Sequence, residues 1–252
     1  MTAFFLWNLK ILQKHINLHK SNGSYFLKKI REASQKSLSQ FYGIKYLPKV
    51  NDAVSLSEKE KRQYQERFLE EFPYATSQER ADLQTHISFT TYKKGDFFLA
   101  NGTIQTAMGF VCRGLLRRYY VNEKGNQITT GFISEEQFAT DYPAFLRQQP
   151  TKYNLQCLEP SVIITLPFEV IQVSYSSSKN SERHGRQIAE RVLTILSDRV
   201  EGFLFLTAEE RYLKFLEEHP NLSNRVSLTH LSSFLGIERQ SLSRIRKRIA
   251  KK

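Results

Sequence analysis

Apolar residues recur along this chain with two different periods, and the change from one to the other divides it. Between residues 87 and 167 they come in short aromatic and aliphatic runs, at 97–99, 108–112, 115–121, 128–133, 153–158 and 162–166, each of a strand's length. The runs are separated by Lys94-Gly95-Asp96, Asn101-Gly102, Arg113-Gly114 and Glu123-Lys124-Gly125-Asn126, which are turn sequences. The pattern predicts an antiparallel β-roll of the jelly-roll kind. Beyond it the spacing becomes helical. Over 181–206, Ala189, Leu193, Leu196, Val200 and Phe203 form a heptad-like seam, and Ile188, Val192, Ile195 and Leu204 form a second apolar face. This predicts a long helix that packs on its own domain with the second face and on a second copy of the chain with the seam, giving a homodimer.

Residues 207–220 open with a capping box, Thr207 with Glu210, and stop at Pro220, so one short helix is expected, with Tyr212, Leu213, Phe215 and Leu216 as its packing face. Then Leu228, Leu231 and Leu235 line one face of a helix that Ser227 can cap. Gly236 supplies the positive φ that ends it, Ile237 fills the corner, and Leu242, Ile245 and Ile249 form the stripe of a second helix. Two short helices around a tight glycine turn are the helix-turn-helix arrangement. The second helix is left with hydrogen-bond donors on its outer side. Arginine pairs with guanine and glutamine with adenine, so Arg239, Gln240, Ser243 and Arg244 are the expected readers of DNA bases. Arg246, Lys247 and Arg248, with Lys251 and Lys252, are expected on phosphates, where they add affinity and no sequence information.

Charge sharpens this picture. Residues 1–49 carry nine Lys and Arg against Glu32 alone, a net +8, and residues 238–252 carry seven against Glu238 alone, a net +6. The whole chain is +12, which leaves −2 for residues 50–237. Two basic ends around a near-neutral body imply localised phosphate contacts, with double-stranded DNA as the partner. Cys112 and Cys157 are too few and too far apart for a disulfide framework or a metal cluster, which suggests buried thiols in a reducing, cytoplasmic setting. No apolar run approaches the roughly 20 residues of a membrane helix, so no membrane partner is expected.

A β-roll, a long helix and a C-terminal helix-turn-helix in this order resemble the Crp/Fnr family of bacterial transcription regulators, an α+β architecture. The motifs that carry the resemblance are K-K-G-D at 93–96, G-F-V-C-R-G-L-L-R at 109–117, A-E-E-R-Y-L-K-F-L-E-E-H-P at 208–220 and L-G-I-E-R-Q-S-L-S-R-I-R-K at 235–247. The last two are similar to a subgroup common in Bacteroidetes. The resemblance implies a sensor roll with a small-molecule effector, a dimerising long helix, a reading helix in the major groove, and RNA polymerase as a further partner. It divides the chain into a basic extension at 1–58, a cyclic-nucleotide-binding-like roll at 59–180, a dimerisation helix at 181–206 and a DNA-binding unit at 207–252.

This sequence departs from the family's pattern in the roll. Members that bind cyclic AMP carry a Gly-Glu pair and an Arg-Ser-Ala step that hold the cyclic phosphate, and the corresponding stretch, 137–157, has neither. Lys152 is the nearby cation, and Tyr142 and Tyr153 would crowd a small pocket, so these three are the effector-pocket candidates and cyclic AMP is not expected. Two cysteines cannot hold an iron–sulfur cluster, and no cofactor is expected. Gln240 stands where many relatives have Glu, so a different operator is expected.

The competing classes are a cupin-like metal enzyme, which would need more histidine than His86 in the roll, and a degenerate sensor that partners another regulator without reading DNA. His15 and His19, four residues apart, are expected on a solvated helix face, with no metal. Residues 1–58 lie outside the resemblance and are either a real extension or a misassigned start.

Overall fold

The computed structural model describes residues 56–250. The expectations for residues 1–55, His15 and His19 among them, and for Lys251 and Lys252 fall outside the described residues.

Among the described residues two helices precede the roll, α1 (Glu58–Glu70) and α2 (Ser77–His86), each begun by a capping box, Ser57 with Glu60 and Thr76 with Glu79. Helix α1 starts at the expected boundary between extension and roll, and it belongs with the roll: Phe68 and Leu69 are buried against Met108, Phe110 and Ile164. The roll comprises β1 (Ser88–Tyr92), β2 (Phe97–Leu99), β3 (Ala107–Arg113), β4 (Leu116–Val121), β5 (Gln127–Ile133), β6 (Phe138–Ala139), the short helix α3 (Tyr142–Arg147), β7 (Asn154–Cys157) and β8 (Ser161–Pro167). All strand pairings are antiparallel, in two four-stranded sheets of order β1-β8-β3-β6 and β2-β7-β4-β5.

Each of the six apolar runs of the sequence coincides with a strand to within one residue at either end, and β1 and the two-residue β6 add two that periodicity did not show. The predicted turns have the backbone they need, with Gly95, Gly102, Gly114 and Gly125 all at positive φ. In β8 the alternation of side chains separates two interiors. Val162, Ile164 and Leu166 join the cluster under α1, whereas Ile163 joins Tyr92, Leu99, Val111, Leu116, Leu155 and Cys157 between the sheets. Gly109 lets the sheets approach, since a Cβ there would lie 2.6 Å from the ring of Phe98. Both thiols are buried and pushed up to about 12 by burial, which leaves them inert.

After the roll come α4 (Phe168–Ser177) and the long α5 (Lys179–Phe205), then α6 (Ala208–Glu218), α7 (Leu228–Leu235) and α8 (Arg239–Ile249). Helix α5 is anchored by its first turns. Gly185 admits the ring of Tyr175, whose Cζ would be 2.6 Å from a Cβ there, and His184 stacks on Phe72 at 4.5 Å. Only these two residues of α5 are buried. The expected packing of a second apolar face along α5 is therefore incomplete: Ile188 and Val192 are half-buried, but Ile195 is 58% and Leu204 70% exposed. The half-buried part of this face ends at Val192, beyond which Ile195 and Leu204 stand exposed.

Candidate nucleic-acid interface

Ser227 caps α7 by accepting a hydrogen bond from the His230 amide at 3.1 Å, and Gly236 ends it at φ 68°, ψ 36°. A Cβ at Gly236 would lie 2.8 Å from the ring of Phe203, so the turn requires glycine for conformation and for close packing. Leu231, Leu235, Leu242 and Ile245 are buried together with Tyr212 and Phe215 of α6, and Leu228, Ile237 and Ile249 pack against them. Leu213 does not share that face: it is 44% exposed and, with Leu206, Glu210 and Lys214, lines a shallow groove of about 560 Å³. It falls on the outer side because α6 buries only positions 212 and 215.

With its apolar stripe buried, α8 presents a cationic outer surface. Arg239, Gln240, Arg244, Arg246 and Lys247 are exposed. Arg244 Nη2 donates to Ser241 Oγ at 3.2 Å. The Ser243 hydroxyl is half-buried and donates to the Arg239 carbonyl at 3.1 Å, so it is engaged with its own helix. Arg248 forms an ion pair with Glu209 of α6. Helix α8 thus carries the basic surface, and the apolar seam it shares with α6 and α7 lies beneath it.

Contacts that the sequence did not reveal fix this helix pair on the roll. Arg225, in the loop before α7, donates to Glu135 through Nη1 and Nη2 at 2.9 and 2.8 Å and to Glu159 through Nε and Nη2 at 3.1 and 2.7 Å. Two carboxylates raise its pKa above the ordinary arginine value, the hydrogen bonds being the main cause. Ser233 Oγ accepts from the Thr129 amide at 2.9 Å and donates to the Gln127 carbonyl at 3.2 Å, covering the open edge of β5. Leu115, Phe132 and Leu158 of the roll sit in the same apolar cluster as α7 and α8. Arg211 ties α6 to the turn, donating to the Leu235 carbonyl at 3.1 Å and the Leu206 carbonyl at 2.7 Å. His230 faces this seam, and burial together with the charge of Arg117 lowers it to about 4.

The seam of α5 is the opposite kind of surface. Ala189 is exposed, as are Leu193 at 67%, Leu196 at 41%, Val200 at 57% and Phe203 at 44%. Phe205, beyond it, is 76% exposed.

The three effector-pocket candidates do not come together. Tyr142 packs in the cluster under α1, Lys152 is exposed, and Tyr153 packs between the sheets. Their stretch folds as helix α3, a loop and strand β7, which point the three side chains apart. Tyr153 instead meets Arg118 of β4, whose guanidinium lies 5.3 Å from its ring centre. The neighbouring Arg117 is nearly inaccessible, donates to Thr129 Oγ1 at 2.8 Å and Gln127 Oε1 at 2.7 Å, and stacks on Tyr119. Burial lowers the pKa of both arginines. Among the described residues, no three His, Cys, Asp or Glu side chains are grouped to hold a metal, and no helix is long and apolar enough to cross a membrane.

Residues 89–174 match the family model described as the cyclic nucleotide-binding domain. No curated protein matches the sequence. Among solved structures, the chain is similar to FixK2 from Bradyrhizobium japonicum, with 14% identity over 66% of this chain and 85% of that one and a TM-score of 0.59. It is similar to a transcriptional regulator of the Crp/Fnr family from Eubacterium rectale, with 14% identity over 72% and 88% and a TM-score of 0.58. It also resembles the c-di-GMP responsive global regulator CLP from Xanthomonas campestris, with 16% identity over 75% and 92% and a TM-score of 0.53. The fold is that of a cyclic nucleotide-binding roll followed by helices. The resemblance to Crp/Fnr regulators read from the sequence therefore holds in the fold, with a cyclic nucleotide-binding domain at its centre.

Proposed function

We propose that this chain is a sequence-specific DNA-binding transcription regulator that acts as a homodimer. The observation that carries the reading is the division of α8, whose Leu242 and Ile245 are buried while Arg239, Gln240, Arg244, Arg246 and Lys247 stand exposed. Arg239, Gln240 and Arg244 read bases; Ser243 contributes its half-buried position beside them; Arg246, Lys247 and the terminal Lys251 and Lys252 bind phosphate. Arg248 supports α8 through Glu209 and reaches phosphate only when that pair opens. The exposed seam of α5 pairs with the same seam of a second copy, since an apolar stripe of this length is costly in water. Residues 59–180 act as the effector domain in a cytoplasmic regulator, and cyclic AMP is not its ligand because 137–157 lacks the phosphate clamp.

Selection of bound sequences from a random duplex pool, with the purified chain at fixed salt and no added ligand, tests this. A two-fold symmetric motif with half-sites about 34 Å apart is the expected result. A pool that stays random without ligand and in cell extract overturns the reading and favours a sensor that does not read DNA.

A further inference from the structure

We infer that Arg225 is a positioning residue for DNA recognition: by clamping the loop before α7 to one end of the roll, it fixes the spacing of half-sites that the dimer accepts. This deepens, and rests on, the reading of the chain as a dimeric regulator. Three turns of the roll meet at the clamp. Glu135 follows β5, Glu159 follows β7, and Gly114, between β3 and β4, donates its amide to Glu135 Oε1 at 2.9 Å. Arg225 uses three nitrogens at once, Nη1 and Nη2 on the two oxygens of Glu135 and Nε and Nη2 on those of Glu159. A planar fork held on two carboxylates fixes orientation as well as distance, which a point charge does not. Among the described residues these are the only ion pairs that join 207–250 to the roll.

The same unit is pinned a second time by the end of α5. Phe203 of the seam lies against Gly236 in the turn, and the guanidiniums of Arg199 and Arg211 flank its ring, 5.0 and 5.1 Å from its centre. Arg199 Nη2 donates to the Phe234 carbonyl at 3.1 Å and Arg211 Nε to the Leu235 carbonyl at 3.1 Å, both in the last turn of α7. Between α5 and α6 the backbone itself offers only Leu206 and Thr207, both extended, with ψ of 140° and 165°. A unit held by that connector and at Phe203 can still turn about them. The clamp at Arg225 supplies a further fixed place and removes the rotation. Since the seam sets how two copies stand together, the two α8 helices are left with one separation. Two extra base pairs turn a half-site by about 70° and move it about 7 Å along the duplex, beyond the reach of readers that cannot rotate.

The test measures, by fluorescence anisotropy, the affinity of the full chain for the symmetric site it selects and for the same site with its half-sites moved apart or together by two base pairs. The wild type should bind the altered spacings about a hundredfold more weakly, because one head loses its half-site. In Arg225→Met, and in Glu135→Gln with Glu159→Gln, the selected spacing should lose less than about tenfold, and the altered spacings should come within about tenfold of it. Arg225→Lys, which keeps the charge and loses the fork, should fall between. A clamp that only stabilises the fold would weaken every spacing alike, and that result overturns the inference, as does a wild-type spacing penalty in both variants. Hydrogen exchange without DNA reads the docking directly. The Thr129 amide, bonded to Ser233 Oγ across the junction, should exchange roughly tenfold faster in the variants, and unchanged exchange overturns the clamp. Circular dichroism checks folding, and the paired glutamine variant carries the test if Arg225→Met fails to fold. A wild-type chain that selects no symmetric site removes the DNA reading and this inference with it, whereas a symmetric site whose spacing penalty ignores Arg225 removes this inference alone.

Discussion

Helices α5 and α8 are both amphipathic, yet they leave opposite surfaces to the outside. In α8 the apolar positions are covered by the chain's own α6 and α7, and what remains exposed is charge. In α5 only His184 and Gly185 are buried, and what remains exposed is Leu193, Ile195, Leu196, Val200, Phe203 and Leu204. A helix whose apolar face is already satisfied can offer its polar face to a charged polymer. One whose apolar face is unsatisfied requires another protein surface. The pair thus presents two kinds of surface within one C-terminal half, a cationic one on α8 and an apolar one on α5.

The sharpest way to break this comparison is to put charge on the seam. Leu193→Glu with Val200→Glu leaves the fold intact, because neither side chain is buried, and should give a monomer by sedimentation. Affinity for a symmetric site should then fall by roughly a hundredfold or more, since the second reading head no longer binds as an intramolecular partner. Removing what satisfies α8 has the reverse signature. Leu242→Ala, at a fully buried position, should cost about 2–5 kcal/mol in chemical denaturation while leaving the α5 seam unchanged.

The anchored end of α5 gives a pH effect of intermediate size. Among the described residues His184 Nε2 has no hydrogen-bond partner, and burial lowers the group to about 4 from 6.5. A histidine depressed in the folded state takes up its proton first in the unfolded chain. Stability should therefore fall as pH drops from about 6.5 towards 4, by at most roughly 3 kcal/mol from this residue. His184→Phe should flatten that loss in melts between pH 7 and 5. The smallest effects belong to single contacts on α8. Arg244→Ala should cost about 1–3 kcal/mol and relax preference at one base position, whereas Lys247→Ala should weaken all sequences alike and reduce the salt slope by about one. Loss of preference from Lys247→Ala but not from Arg244→Ala would exchange their roles.

Much of the fold was legible because its signals are local. Thr207 with Glu210 and Ser227 with Gly236 mark helix ends through hydrogen bonds made within four residues, and the structure has those ends. Ser57 with Glu60 and Thr76 with Glu79 carry the same signal for α1 and α2, although weak apolar periodicity in those segments hid it. Strand β6 was invisible for a different reason: two residues have no period. Tyr142, Lys152 and Tyr153 are near one another in sequence, yet the fold sends them to three different places, because a helix and a loop separate their side chains.

The sequence by itself determined the element types, the glycine turns, the apolar seams and the basic outer face of α8, because each depends on residues one helical turn or one hairpin apart. Only the tertiary structure decided that Arg225 meets Glu135 and Glu159 and that Ser233 covers the edge of β5. These partners stand some 66 to 106 residues apart in the chain, and no local period records such a pairing. It arises when two finished surfaces pack and their buried polar groups must find each other.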